Sequence, residues 1–154
     1  MTDYFLDTSA LVKRYVQEVG TAWVVEATTQ SSSYLHIPRV TGPELMAALT
    51  RKISRGEVAP GDAQRAAVNF RSDYHGLYHI VELTPTVAEK AMDLVQRHRL
   101  RGYDSVQLAG AVELQHLRES MGMVPFIFVC ADENLNQCAR LEGLTVINPN
   151  SQIT

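Results

Sequence analysis

Residues 3–16 read DYFLDTSALVKRYV, and the change of pattern inside them decides the fold. Tyr4, Phe5 and Leu6 are a short apolar run of the kind that starts a buried strand. Ala10, Leu11, Val12, Tyr15 and Val16 recur at the spacing of one helical face. Asp7 stands at the hinge between the two. A carboxylate there either caps the helix that follows or is the first of several acids that meet in space.

The same alternation continues along the chain. TAWVVEATTQ (21–30), opened by Gly20, reads as a helix, and SYLHIP (33–38) reads as a strand stopped by Pro38. GPELMAALTRKISRG has Leu45, Leu49 and Ile53 at four-residue spacing, with Pro43 near its start and Gly56 at its end, the expected helix punctuation. PGDAQRAAVNFRSDYHG (60–76) is a further helix, and HIVEL (79–83) a further strand. The next helix, from 84 to 100, takes Thr84 as N-cap with Pro85 at the first helical position. DSVQLAGAVELQHLRESMG is a long helix closed by Gly122. PFIFVCAD (125–132) holds the strongest apolar run, as expected of a strand covered on both faces. A short helix through Leu141 and the strand LTVIN follow. Parallel neighbours need crossover connections, so the expectation is a three-layer α/β/α sandwich with a mainly parallel central sheet.

Composition bounds the function. A chain of 154 residues fits a single domain, 1–154, and its 45% hydrophobic and 20% charged residues are those of a globular protein. No run approaches the ~20 apolar residues of a membrane span, and the N-terminus lacks the pattern of a secretory signal. Cys130 and Cys138 have no metal-type spacing and read as buried thiols in apolar surroundings, so a reducing cytoplasm is expected. A net charge of −3 argues against global attraction to nucleic acid but allows a local basic patch.

In an open parallel sheet, sites gather beyond the carboxyl ends of the strands. Asp7 and Asp132 lie at such ends, Glu44 in the first turn of the helix after SYLHIP, and Asp104 at the opening of SVQLAGAVEL. Each alone is explained as a cap or first-turn charge. Together they are not, because clustered carboxylates repel and raise one another's pKa. A hard divalent cation such as magnesium reverses that cost.

At this point the chain resembles a known family. YFLDTSALVKRYVQEVG, TGPELMAALTRK, LRGYDSVQLAGAVEL and ADENLNQCARLEGLTVINP look like the successive motifs of the PIN-domain family, and most like its VapC-type toxins of toxin–antitoxin systems. The resemblance implies a Mg- or Mn-dependent endoribonuclease, homodimeric and inhibited by a cognate antitoxin. It places the family's acids on Asp7, Glu44, Asp104 and Asp132. Many relatives carry a hydroxyl residue before the last aspartate, where this chain has Ala131. Asp7 and Asp104 are then the nearest metal ligands, Glu44 a ligand or the orienter of the attacking water, and Asp132 an outer ligand.

Other residues have two readings each. Thr8 and Ser9 bond Asp7 or a substrate phosphate, or else cap the following helix, which is preferred. Arg97, Arg99 and Arg101, with His98, precede Asp104 and serve as RNA phosphate contacts or as an ordinary helix end. For Arg51, Lys52 and Arg55 the solvated face is preferred. Tyr103 stacks on a base or, preferably, packs as a half-buried ring. The histidines, His75 and His79 among them, offer no zinc site. An aspartyl phosphatase or phosphotransfer domain would want a second Asp where Ser9 stands, or an acidic pair and a late lysine that are missing. A non-catalytic PIN-like interaction module would be expected to lose some of the acids, and all are present.

Overall fold

The computed structural model describes residues 2–152. Its sheet is built from β1 (Tyr4–Leu6), β2 (Leu35–Pro38), β3 (His79–Val81), β4 (Ile127–Val129) and β5 (Thr145–Ile147), in the order β3-β2-β1-β4-β5. Every pairing is parallel, with Tyr4 opposite Leu35 on one side and Leu6 opposite Val129 on the other. Helices α1 (Thr8–Leu11), α2 (Thr21–Thr29), α3 (Thr41–Ser54), α4 (Pro60–Gly76), α5 (Pro85–His98), α6 (Gly102–Ser120) and α7 (Glu133–Leu141) make the crossovers.

Side-chain alternation in β1 divides the core in two. Tyr4 and Leu6 face a layer with Leu35, Ile37, Leu45 and Phe70, closed by α1 to α4. Phe5 faces the opposite layer and lies against Phe126 and Phe128 at ring separations of 5.6 and 5.8 Å, covered by α5, α6 and α7. Both faces of the sheet are thus buried, as the uninterrupted apolar runs require. Among the described residues no helix is long and apolar enough to cross a membrane.

The elements begin and end for local reasons. Thr84 caps α5 by accepting from the Val87 N–H at 3.2 Å, with Pro85 at the next position. The helix whose apolar face was read from Ala10 to Val16 is shorter. α1 stops at Leu11 and a 3₁₀ turn, Val12–Arg14, follows. The buried Lys13 ammonium reaches back to the Val19 carbonyl at 2.8 Å and to Glu18 at 2.9 Å, and this pulls residues 15–20 into a closed loop rather than a longer helix. Trp23 packs half-buried against Tyr4, edge to face.

From β1 the chain moves to one side through β2 and β3, and then returns to place β4 on the other side. The strand order therefore reverses between β1 and β4. In sheets of this kind the crevice at that reversal, beyond the carboxyl ends of the strands, is where ligands bind. Asp7 follows β1 and Asp132 comes shortly after β4.

Candidate active site

Asp7 is the N-cap of α1, its Oδ2 accepting from the Ser9 N–H at 3.1 Å and the Ser9 hydroxyl at 2.6 Å. The side chain is 5% exposed, so the carboxylate is held almost out of water. Asp132 is likewise the N-cap of α7, accepting from Asn134 and Leu135 N–H, but it is exposed. Glu44 lies in the first turn of α3 and Asp104 in the first turn of α6, which begins two residues earlier than expected, at Gly102.

Charge shows that the acids are neighbours. Burial raises the pKa of Asp104, and the negative charges of Asp7 and Asp132 raise it further. Burial also raises Glu44, opposed by a bond from Gln107 and reinforced by Asp7 and Asp104. Asp7 is raised by burial against the bonds from Ser9. Among the described residues none of the four acids takes part in an ion pair; the nearest compensation is the milder influence of Arg101 on Asp104. Equally, among the described residues no group of three or more His, Cys, Asp or Glu is arranged to hold a metal ion as it stands. The acids feel one another without closing on a common centre. An all-oxygen anionic set with no cation of its own fits a hard divalent ion.

Several side chains sit elsewhere than expected. Neither Thr8 nor Ser9 is the cap, which is Asp7 itself. Ser9 instead joins the ends of two strands, donating to Asp7 and accepting from the Ala131 N–H at 3.0 Å. The backbone position occupied by Ala131 is thereby held by a hydroxyl from another part of the chain. Thr8 accepts from Gln107 at 3.0 Å. Arg97 is committed to Glu142, at 2.6 and 2.8 Å, with His98 on the same carboxylate at 2.9 Å. Arg99 and Arg101 are exposed, and Arg99 ends α5 in the left-handed region at φ 56°. Tyr103 is 62% exposed, so the expected half-buried packing does not occur. Lys52 pairs with Glu18 and Glu57.

Two residues that the sequence did not assign to the site lie within it. Cys130 lies under Asp7, its Sγ 3.5 Å from Asp7 Oδ2 and 3.3 Å from the Asp132 N–H. Its surroundings are therefore not purely apolar, and burial with the Asp7 charge pushes the thiol pKa up, keeping it protonated. Cys138 is only half-buried. Gln107, one helical turn after Asp104 and wholly buried, bonds to Thr8, Thr41 and Glu44. The available signal was a lone polar residue between Val106 and Leu108 in an otherwise apolar stretch.

The structure is thus a parallel α/β/α sandwich with acids from four separate segments near its topological switch. The PIN-domain family model matches residues 4–119, and the chain belongs to the PIN-domain family. It is 31% identical over 108 residues to Ribonuclease VapC45 of Mycobacterium tuberculosis (strain CDC 1551 / Oshkosh), a match that covers 70% of this chain and 74% of that one. The fold is shared with VapBC2 from Rickettsia felis bound to a DNA fragment from their promoter, at TM-score 0.60 and 12% identity over 96% of this chain and 98% of that one. It is shared also with FitAcB from Neisseria gonorrhoeae, at TM-score 0.58 and 14% identity over 97% and 99%.

Proposed function

We propose that the chain is a metal-dependent endoribonuclease and the toxin of a toxin–antitoxin pair, hydrolysing RNA phosphodiesters at the edge formed by Asp7, Glu44, Asp104 and Asp132. The observation that carries this reading is that burial raises Asp7, Glu44 and Asp104, and that Asp7 adds its charge against both of the others with no ion pair to offset it, an arrangement a bound cation would relieve. Asp7 and Asp104 would hold magnesium or manganese, with Glu44 as ligand or orienter and Asp132 as the outer, wetter member. When bound, such an ion lowers the pKa of its water and offsets charge on the phosphoryl group. The residues do the rest. Ser9 and the Ser9 N–H fix one oxygen of Asp7, and Gln107 fixes one oxygen of Glu44, so that the remaining lone pairs are aimed rather than free. Arg99, Arg101 and Tyr103, exposed on the segment leading to Asp104, offer phosphate contacts and a stacking face.

The similarity to Ribonuclease VapC45 supports RNA as substrate, and the resemblance to VapC-type toxins extends the proposal to a homodimer blocked by an antitoxin. The open array of acids favours one competitor, a PIN-like interaction module without catalysis. Incubating the purified chain with a panel of structured RNAs in magnesium, in manganese and in EDTA separates the two. Metal-dependent cuts that EDTA abolishes are expected, and intact RNA under all three conditions would leave only the interaction module.

A further inference from the structure

Gln107 is a polar side chain in a place where folding alone would favour an apolar one. It is 0% exposed, on the face of α6 that enters the core beside Leu108 and Ala111. Its amide nitrogen lies 3.0 Å from Thr8 Oγ1, 3.0 Å from Thr41 Oγ1 and 2.7 Å from Glu44 Oε1. The shortest of these is the charge-assisted one, as a carboxylate acceptor predicts. Glu44 also fixes which way the amide faces, since the reversed amide would set carbonyl oxygen against carboxylate oxygen. That orientation leaves Gln107 Oε1 buried with no partner. An unpaired buried acceptor destabilises the fold, and only the contacts of the amide nitrogen offset it. The amide is therefore kept for its nitrogen and for the partners that nitrogen holds.

Its three partners identify what it serves. Thr8 follows Asp7, Thr41 and Glu44 belong to α3, and Gln107 shares α6 with Asp104. One amide thus cross-links the three segments that carry the buried and half-buried acids. We propose that Gln107 is a positioning residue: it holds one oxygen of Glu44 so that the other faces Asp7 and Asp104, ready for a divalent cation. This rests on the metal-dependent reading above. A glutamate without this restraint would turn toward water, away from its two like-charged neighbours.

The test is calorimetric titration of Mn²⁺ into the full chain, wild type and Gln107→Met, alongside melting of the metal-free proteins and kcat and KM on an RNA fragment. Supporting residues of this kind typically change metal affinity 10–100-fold. Gln107→Met is accordingly expected to raise the Mn²⁺ Kd by roughly that factor and lower kcat, with KM for RNA unchanged and a metal-free chain that folds but melts lower, since Glu44, Thr8 and Thr41 lose their shared donor. In a Glu44→Gln background the same substitution should alter the Kd by no more than about twofold, because its partner is gone. An unchanged Kd, or an effect of full size without Glu44, overturns the proposal, and a lower Tm with an unchanged Kd assigns Gln107 to structure alone. If Gln107→Met does not fold, Gln107→Asn draws the same amide back by one methylene and is read identically. A wild type that binds Mn²⁺ but cleaves no RNA strikes the nuclease reading while the Kd comparison still decides Gln107. A wild type that binds no Mn²⁺ overturns both.

Discussion

Asp7 has one duty the structure shows and one that is proposed, and asparagine separates them. As N-cap of α1 it needs an oxygen for the Ser9 N–H, which asparagine supplies. As a member of the acid group it needs charge, which asparagine lacks. Asp7→Asn should therefore leave the metal-free Tm unchanged or higher while reducing RNA cleavage by roughly 100-fold or more; near-normal cleavage would return Asp7 to capping alone. Asp104 carries a pH signature. Its pKa is raised in the folded chain by burial and by Asp7 and Asp132, so the folded state binds that proton more tightly than the unfolded one. The penalty is absent below the ordinary carboxylate range and grows as pH climbs through the raised value. Metal-free Asp104→Asn should thus melt higher than wild type at pH 7, by roughly 2–4 °C if relief is about 1 kcal/mol, and the gap should close in melts taken near pH 4. Glu142 behaves oppositely. Burial would raise it, but His98 and Arg97 hold it below the usual range, so its contribution is lost as pH falls. The four acids were legible because capping preference and strand-end position leave marks in sequence. Gln107 and Cys130 were not, because a buried amide or thiol shows its purpose only through partners distant in the chain.

Most elements were legible because the punctuation was strong: α4 runs from Pro60 to Gly76, the stretch the sequence outlines, and Thr84 with Pro85 starts α5. There are exceptions. The strands are three or four residues long, shorter than the stretches 33–38, 79–83 and 125–132 that suggested β2, β3 and β4. α1 is cut short by Lys13, whose inward ion pair is invisible to periodicity. Arg99 takes a left-handed turn for which glycine would be the expected residue. Gly20 has the opposite character, a glycine that is required. At φ 89° it opens α2, and a Cβ there would lie 2.9 Å from the Pro149 carbonyl oxygen. Gly20→Ala combines left-handed strain of about 1–2 kcal/mol with that collision, so a Tm loss of at least roughly 4 °C is expected. A thermal melt matching wild type would show that the α2–Pro149 contact is dispensable.

At the scale of the molecule, the proposed metal site would link metal to stability. For one site a cation at 100 times its Kd adds about 2.7 kcal/mol, which in a domain of this size raises Tm by roughly 5–10 °C. Melts in millimolar Mn²⁺ should show an upward shift that shrinks in Asp104→Asn; no shift at any concentration would favour a binding module. The parallel class of the sheet followed from alternating patterns, but strand order did not, because it depends on which neighbours β1 accepts. That order has a temporal meaning. β1 is central, yet its partner β4 is made only after β2, β3 and six helices have been translated. Until then Asp7 has no Val129 carbonyl to hold its N–H, and Ser9 has no Ala131 to grip. A ribosome making this chain therefore carries an incomplete edge until β4 has been made. The edge proposed to cut RNA is completed only when that strand docks beside β1.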